Sequence, residues 1–231
     1  MKKQLGIIIA TGVLAANFGF LASAANAGVL LDENFDGMNA GEMPGSGPVH
    51  QWRGPENGLY GFIEVTSEKA SGEQGKSIRF CDNSAKPNGS PILTAEWKAP
   101  ATGSLTVEWK VMIPVNEPYI SLQFIGSNWD DAPVIVIFEN GRIAVDFADG
   151  KRADLGPYEK GKWYAIKAEL RQADKTFDLF LDGKQVIKNY AWRSIKKVNL
   201  GNLSIGADFS TADRAGAPVL YIDDLKVTAT P

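Results

Sequence analysis

The chain has 231 residues, 24 basic and 27 acidic side chains, one cysteine and one histidine. It shows no basic stripe, which excludes nucleic acid as a natural partner. A single cysteine excludes an internal disulfide, and one cysteine with one histidine does not build the usual zinc sites.

Lys2 and Lys3 precede a mostly apolar run from Leu5 to Leu21, and Ala25-Asn26-Ala27 follows with the small residues of a cleavage site. This is the pattern of a secretory signal peptide cut after Ala27, so a periplasmic or extracellular protein is expected. The remaining 28–231 form one domain of about 204 residues, with net charge near −5 once the two lysines are gone. No second segment is long and apolar enough to cross a bilayer.

Strands are expected near 29–35, 61–66, 76–82, 92–98, 103–113, 118–125, 133–139, 141–148, 162–171, 175–182, 184–189, 198–209 and 217–228. In the first, Val29, Leu31, Glu33 and Phe35 share a face. The Gly/Pro-rich tract from Gly37 to Pro55 carries Met38, Val49 and Trp52 and reads as a long loop laid over the domain. Cys81 lies at the end of a strand-like run. With Ile78 and Phe80 facing the core, it faces the other way beside Arg79, as a small half-buried residue. Trp109 alternates into the core. Tyr119, Ser121 and Gln123 share one strand face, and Arg142, Ala144 and Asp146 share another; each mixed face suits the lining of a groove. Between them Gly126-Ser127-Asn128-Trp129-Asp130-Asp131 is a polar loop in which an indole has no evident core to join.

The stretch from Lys162 to Val186 is the clearest in the chain. Tyr164, Ile166, Ala168 and Leu170 alternate with Lys167, Glu169 and Arg171. Phe177, Leu179 and Leu181 then alternate with Asp178 and Asp182, with Phe180 the exception on the polar side. A period of two means half-buried strands, and Asp182-Gly183 is hairpin-turn chemistry. Trp192 follows and is placed to cap the core. In the last strand Val219, Tyr221, Asp223, Leu225 and Val227 share a face. Many short strands between turn signals, with no helical periodicity, predict an all-β antiparallel sandwich.

Three pieces carry a resemblance: Glu33-Asn34-Phe35-Asp36-Gly37 with Gly41 and Pro44, the hairpin with Trp163-Tyr164 and Leu181-Asp182-Gly183, and the closing Tyr221-Ile222-Asp223-Asp224-Leu225-Lys226-Val227. Together the chain resembles the concanavalin A-like lectin/glucanase superfamily, in particular laminin-G-like jelly rolls of secreted bacterial proteins. The resemblance implies that the first and last strands lie together, so that Glu33 and Asp223 meet. Two convergent carboxylates suit a cation, and one structural calcium held by Glu33 and Asp223 is one reading; the other is that each carboxylate binds backbone amides or an arginine, or turns outward at a bulge.

That superfamily contains lectins, adhesion modules, glycosidases and lyases, so chemistry must come from residues. The glucanase pairing of carboxylates at alternate positions on one strand is missing. Asp130-Asp131 and Asp223-Asp224 have the wrong spacing, and Glu108 and Glu169 sit singly on polar faces among lysines. Glu169-Leu170-Arg171 matches part of the Arg-x-Glu-Leu-Arg of jelly-roll alginate lyases, but the Gln-Ile-His of those enzymes is absent. Sugar binding asks for less: an exposed aromatic face plus groups for hydroxyls. The expectation is therefore a secreted, non-catalytic carbohydrate-binding module that takes a polysaccharide or glycan. Its candidate contacts are Trp129, Trp52, Tyr119, Gln123, Arg142 and Asp146. A jelly-roll lyase or glycoside hydrolase with an unrecognised site, and a protein-binding adhesion module, are the alternatives.

Overall fold

In the computed structural model the described residues are 28–41, 47–53, 61–81, 91–114, 119–147, 150–194, 197–209 and 218–231. The expected signal peptide lies outside them. All regular structure among them is strand, in two antiparallel sheets. The fifteen strands are β1 (Gly28–Glu33), β2 (Val49–Arg53), β3 (Phe62–Thr66), β4 (Ser77–Cys81), β5 (Ile92–Glu96), β6 (Ser104–Met112), β7 (Tyr119–Ile125), β8 (Val134–Glu139), β9 (Arg142–Asp146), β10 (Arg152–Pro157), β11 (Trp163–Arg171), β12 (Thr176–Leu181), β13 (Lys184–Ala191), β14 (Asn202–Phe209) and β15 (Pro218–Thr230).

In the eight-stranded sheet seven strands run β13-β12-β11-β6-β15-β4-β3 and β1 joins beside β15 off that path; the seven-stranded sheet runs β10-β9-β8-β7-β14-β5-β2. One edge of β15 pairs with β6 along its length. Its other edge is shared: residues 218–222 pair with β4, and 225–229 pair with β1, where Gly28 faces Ala229. The expected meeting of the chain's two ends is therefore present as strand pairing.

The core lies between the sheets and follows the alternation read from the sequence. On β6, Leu105, Val107, Trp109 and Val111 point inward; on β11, Tyr164, Ile166, Ala168 and Leu170; on β12, Phe177 and Leu179. Trp192 is buried and its Nε1 donates to the Thr176 carbonyl at 2.9 Å, so it closes that end of the core. Two strands were not expected. β2 hides inside the Gly/Pro-rich tract and pairs with β5 as an edge. β10 ends in Gly156-Pro157 and, among the described residues, pairs with β9 alone, an edge position where proline costs no ladder bond.

The last strand departs from a single face. Between Asp223 and Lys226 its register against β6 shifts, and Asp224 adopts a left-handed φ of 50°. A bulge of this kind inserts one residue and flips the faces beyond it. Leu220 and Ile222 enter the core before it, and Leu225 and Val227 after it. Tyr221 and Asp223 thus lie on the face opposite Leu225 and Val227, although both are buried.

The β11–β12–β13 corner is held by charge. Arg171 donates to Asp178 from Nη1 at 2.9 Å and from Nη2 at 3.2 Å. These bonds hold the Asp178 carboxyl below the usual carboxylate range, against the opposing effect of burial. Because the folded value is depressed, the stabilisation is present above the unfolded carboxylate value and is lost as pH falls through the folded one. Asp178→Asn is expected to flatten the acid limb of stability between about pH 5 and 2, read from urea midpoints. An unchanged acid slope would show that this pair does not set it.

Candidate functional site

The structure sorts the sequence candidates into different places. Trp129 sits in the 126–131 loop after β7, 37% exposed, one of two large hydrophobic side chains exposed among the described residues. The loop is built around Asp131. Its carboxylate accepts from the Ser127 amide at 2.9 Å, the Asn128 amide at 3.1 Å and Asn128 Nδ2 at 3.0 Å. Asn128 Oδ1 in turn accepts the Asp130 amide at 2.9 Å. Gly126 begins the loop with φ +142°, packed against Asp131 and Ala132. Arg193 reaches across from the segment after β13. Its Nη1 donates to the Trp129 carbonyl at 2.6 Å, and its guanidinium lies 4.4 Å from the indole centroid. The indole is thus held outward on a tied loop, backed by a cation in π contact. Arg193 was not anticipated; its place in Tyr190-Ala191-Trp192-Arg193 gave no sign that it crosses to another loop.

Gln123 is a correction. It does not line a groove: it is 0% exposed, with Ser121 also 0% exposed on the same strand. The alternation was right, but this face of β7 turns toward the other sheet. Trp109 Nε1 on β6 donates to Gln123 Oε1 at 2.6 Å, and Gln123 Nε2 donates to Ser121 Oγ at 3.3 Å. Ser121 Oγ continues to the Gly206 carbonyl at 3.0 Å. The polar face is an internal network that satisfies a buried indole N–H. Tyr119 and Trp52 belong to β7 and β2, and their side chains lie outside the described residues.

Arg142 and Asp146 do share the outer face of β9, with Ala144 between them, but each is committed to β10. Arg142 Nε donates to Asp154 Oδ2 at 2.9 Å, and Arg152 Nε donates to Asp146 Oδ1 at 2.8 Å. Arg152 Nη1 also reaches Glu139 Oε2 at 2.6 Å. Hydrogen bonding from Arg142 holds the Asp154 carboxyl below its ordinary value. A recess of about 280 Å³ lies among these residues. Their first role is to staple an edge strand to the sheet, which was illegible while β10 itself was not expected.

Glu33 and Asp223 each turn to backbone amides. Glu33 Oε1 accepts the Phe35 amide at 2.7 Å, and Phe35 has a left-handed φ of 63°. Asp223 Oδ2 accepts the Ser71 amide at 2.8 Å and Oδ1 the Asp224 amide at 2.8 Å. Burial pushes the Asp223 carboxyl up, and the amide bonds from Ser71 and Asp224 oppose it. These amide bonds let the two carboxylates cap a turn and a bulge, and each takes up only part of a carboxylate's roughly four acceptor sites. Among the described residues no group of three or more His, Cys, Asp or Glu is placed to hold a metal ion. Cys81 is buried, and burial pushes its thiol up to about 11. It lies on β4 of one sheet and His50 on β2 of the other.

The polar residues of β6, β11 and β12 meet on the outer face of the eight-stranded sheet. A recess of about 550 Å³ lies there over β1, β15, β6, β11 and β12. Its wall includes Phe180, the one residue that broke the alternation of β12. That break was the available signal.

No family model matches the chain, and no curated protein matches it. Among solved structures it is similar to a sialidase, with TM-score 0.60 and 18% identity over 89% of this chain and 19% of that one. It is similar to a cellulose-induced protein, with TM-score 0.61 and 12% identity over 85% of this chain and 96% of that one. It is also similar to an alginate lyase of polysaccharide lyase family 7, with TM-score 0.50 and 16% identity over 72% and 84%. The chain therefore spans about a fifth of the sialidase and most of the other two. At such identities the likeness concerns architecture: the chain is an antiparallel β-sandwich of jelly-roll type.

Proposed function

We propose that this chain is an exported, non-catalytic carbohydrate-binding module of the concanavalin A-like, laminin-G-like kind, with Trp129 as its aromatic platform. The observation that carries this reading is the tied loop that holds the indole outward with Arg193 behind it. Sugar rings present C–H faces to such a surface, and a platform ordered in advance costs little entropy on binding. The names of the structural neighbours, among them an alginate lyase and a sialidase, support a role with sugars. The segment before residue 28, with Lys2, Lys3 and Ala25-Asn26-Ala27, supports export.

A glycan array followed by calorimetry on the tightest hit tests the reading. Trp129→Ala is expected to weaken binding at least about ten-fold, or about 1.4 kcal/mol. Its stability should stay within about 0.5–1 kcal/mol of the parent, because the side chain is outside the core. Arg193→Ala should weaken binding less. Reducing-end and unsaturated-uronate assays on the same polysaccharides should stay silent; turnover would replace this reading with that of a lyase or glycosidase.

A further inference from the structure

The recess on the outer face of the eight-stranded sheet is a second place where chemistry is gathered. Asp32, Lys226, Glu108, Lys167 and Phe180 are successive cross-strand neighbours on β1, β15, β6, β11 and β12. They form one row at right angles to the strands, and all five line the recess. Ala165 and Gly183 lie beside the row, and they are the smallest of its lining residues. Where the surrounding outward chains are long, those two positions leave depth. Lys110 and Asp224, paired at 2.7 Å, close another side.

The charges decide what fits. Asp32, Glu108 and Asp224 balance Lys110, Lys167 and Lys226 among the lining residues, so the recess carries no net charge. Lys226 pairs with Asp32 at 3.5 Å and Lys167 with Glu169 at 2.6 Å, which leaves Glu108 between them without an ion pair among the described residues. Donors and acceptors alternate along the row. Phe180 stands at its end, with Lys167 Nζ 4.0 Å from the ring centroid. A polyanion would meet three carboxylates and a polycation three ammonium groups. Neutral hydroxyls both donate and accept, and match the alternation. The volume lies in the range of small-ligand sites. We propose that this recess is a second binding site, distinct from Trp129, for a neutral hexose oligosaccharide.

The test is an amide chemical-shift titration of the Trp129→Ala protein with cellohexaose, maltohexaose and mannohexaose, beside a hexagalacturonate and a chitosan hexamer. At least one neutral hexamer is expected to shift the Ala165, Lys167, Phe180 and Lys226 amides, and more strongly than either charged oligomer. Ala165→Trp, which fills the recess, should then weaken that binding at least about ten-fold. Phe180→Ala, which empties one wall, should weaken it by a similar factor and guards against misfolding of the larger substitution. Absence of shifts at these positions with every neutral hexamer overturns the proposal, as does an equal or stronger response to a charged one. Because the titration is made without the Trp129 indole, its failure leaves the Trp129 reading standing, and failure of that reading leaves this one standing.

Discussion

Gln123→Ala is expected to remove about 4 kcal/mol of stability, a large part of the roughly 5–15 kcal/mol by which a domain of this kind is stable. Two losses combine. The Trp109 indole N–H, 2.6 Å from Gln123 Oε1, loses its acceptor in a place water does not reach. An unpartnered buried donor costs about 1–3 kcal/mol. The shortened side chain also leaves a void between the sheets, which the fixed strands β6 and β7 cannot collapse to fill. Gln123→Leu separates the terms, because it keeps most of the volume and removes the amide, both the acceptor of the Trp109 N–H and the donor to Ser121 Oγ; it should cost about 1–3 kcal/mol. Pairing Gln123→Leu with Trp109→Phe should cost less than the sum of the single changes, since the second removes the donor that the first orphans. Urea unfolding with an unchanged m value measures all four proteins. A Gln123→Leu protein as stable as the parent would show that the network contributes nothing.

Gly126→Ala is expected to cost about 3 kcal/mol and to abolish binding at Trp129 together. A Cβ at this position would lie 2.6 Å from Asp131 Oδ1 and 2.9 Å from the Ala132 Cα, at a φ of +142° that side chains rarely adopt. The Ala132 backbone cannot give way without moving β8, and Asp131 cannot move without releasing the Ser127 and Asn128 amides that shape the loop. Gly141→Ala is the control. Its φ is +80°, but nothing lies within 4 Å of the added methyl, so only the backbone term of about 1 kcal/mol applies. Thermal unfolding and calorimetry with the same glycan read both effects. Equal losses for the two variants would refute the role given to the Asp131–Ala132 contact.

The sequence was most readable where burial is periodic. The β11–β12 hairpin and the inward face of β6 followed from alternation alone, because one face of each strand is wet. Three things defeated that reasoning. At Asp224 a single inserted residue reversed the faces, and no pattern of apolar residues marks a bulge when Tyr221 and Asp223 are buried on the outer side as well. At Gln123 the polar residue belonged inside, because its partner is an indole N–H from the other sheet, and such pairing across a core leaves no local trace. At β2 and β10 the strands are short edges in Gly/Pro-rich surroundings, so the partners of Arg142 and Asp146 on β10 went unseen. Trp129 was legible for the opposite reason: an aromatic among Ser, Asn and Asp has no alternation to join.

The divided edge of β15 bears on how the molecule is made. Among the described residues β1 pairs with β15 alone, and Gly28 faces Ala229. The first strand of the sandwich to be synthesised therefore waits for the last before its backbone bonds can form. Loop closure over nearly the whole chain makes this pairing one of the slowest contacts available to it. Sheet completion then waits for residues 225–229, and until they pair both β1 and that outer edge are open to pairing with another copy.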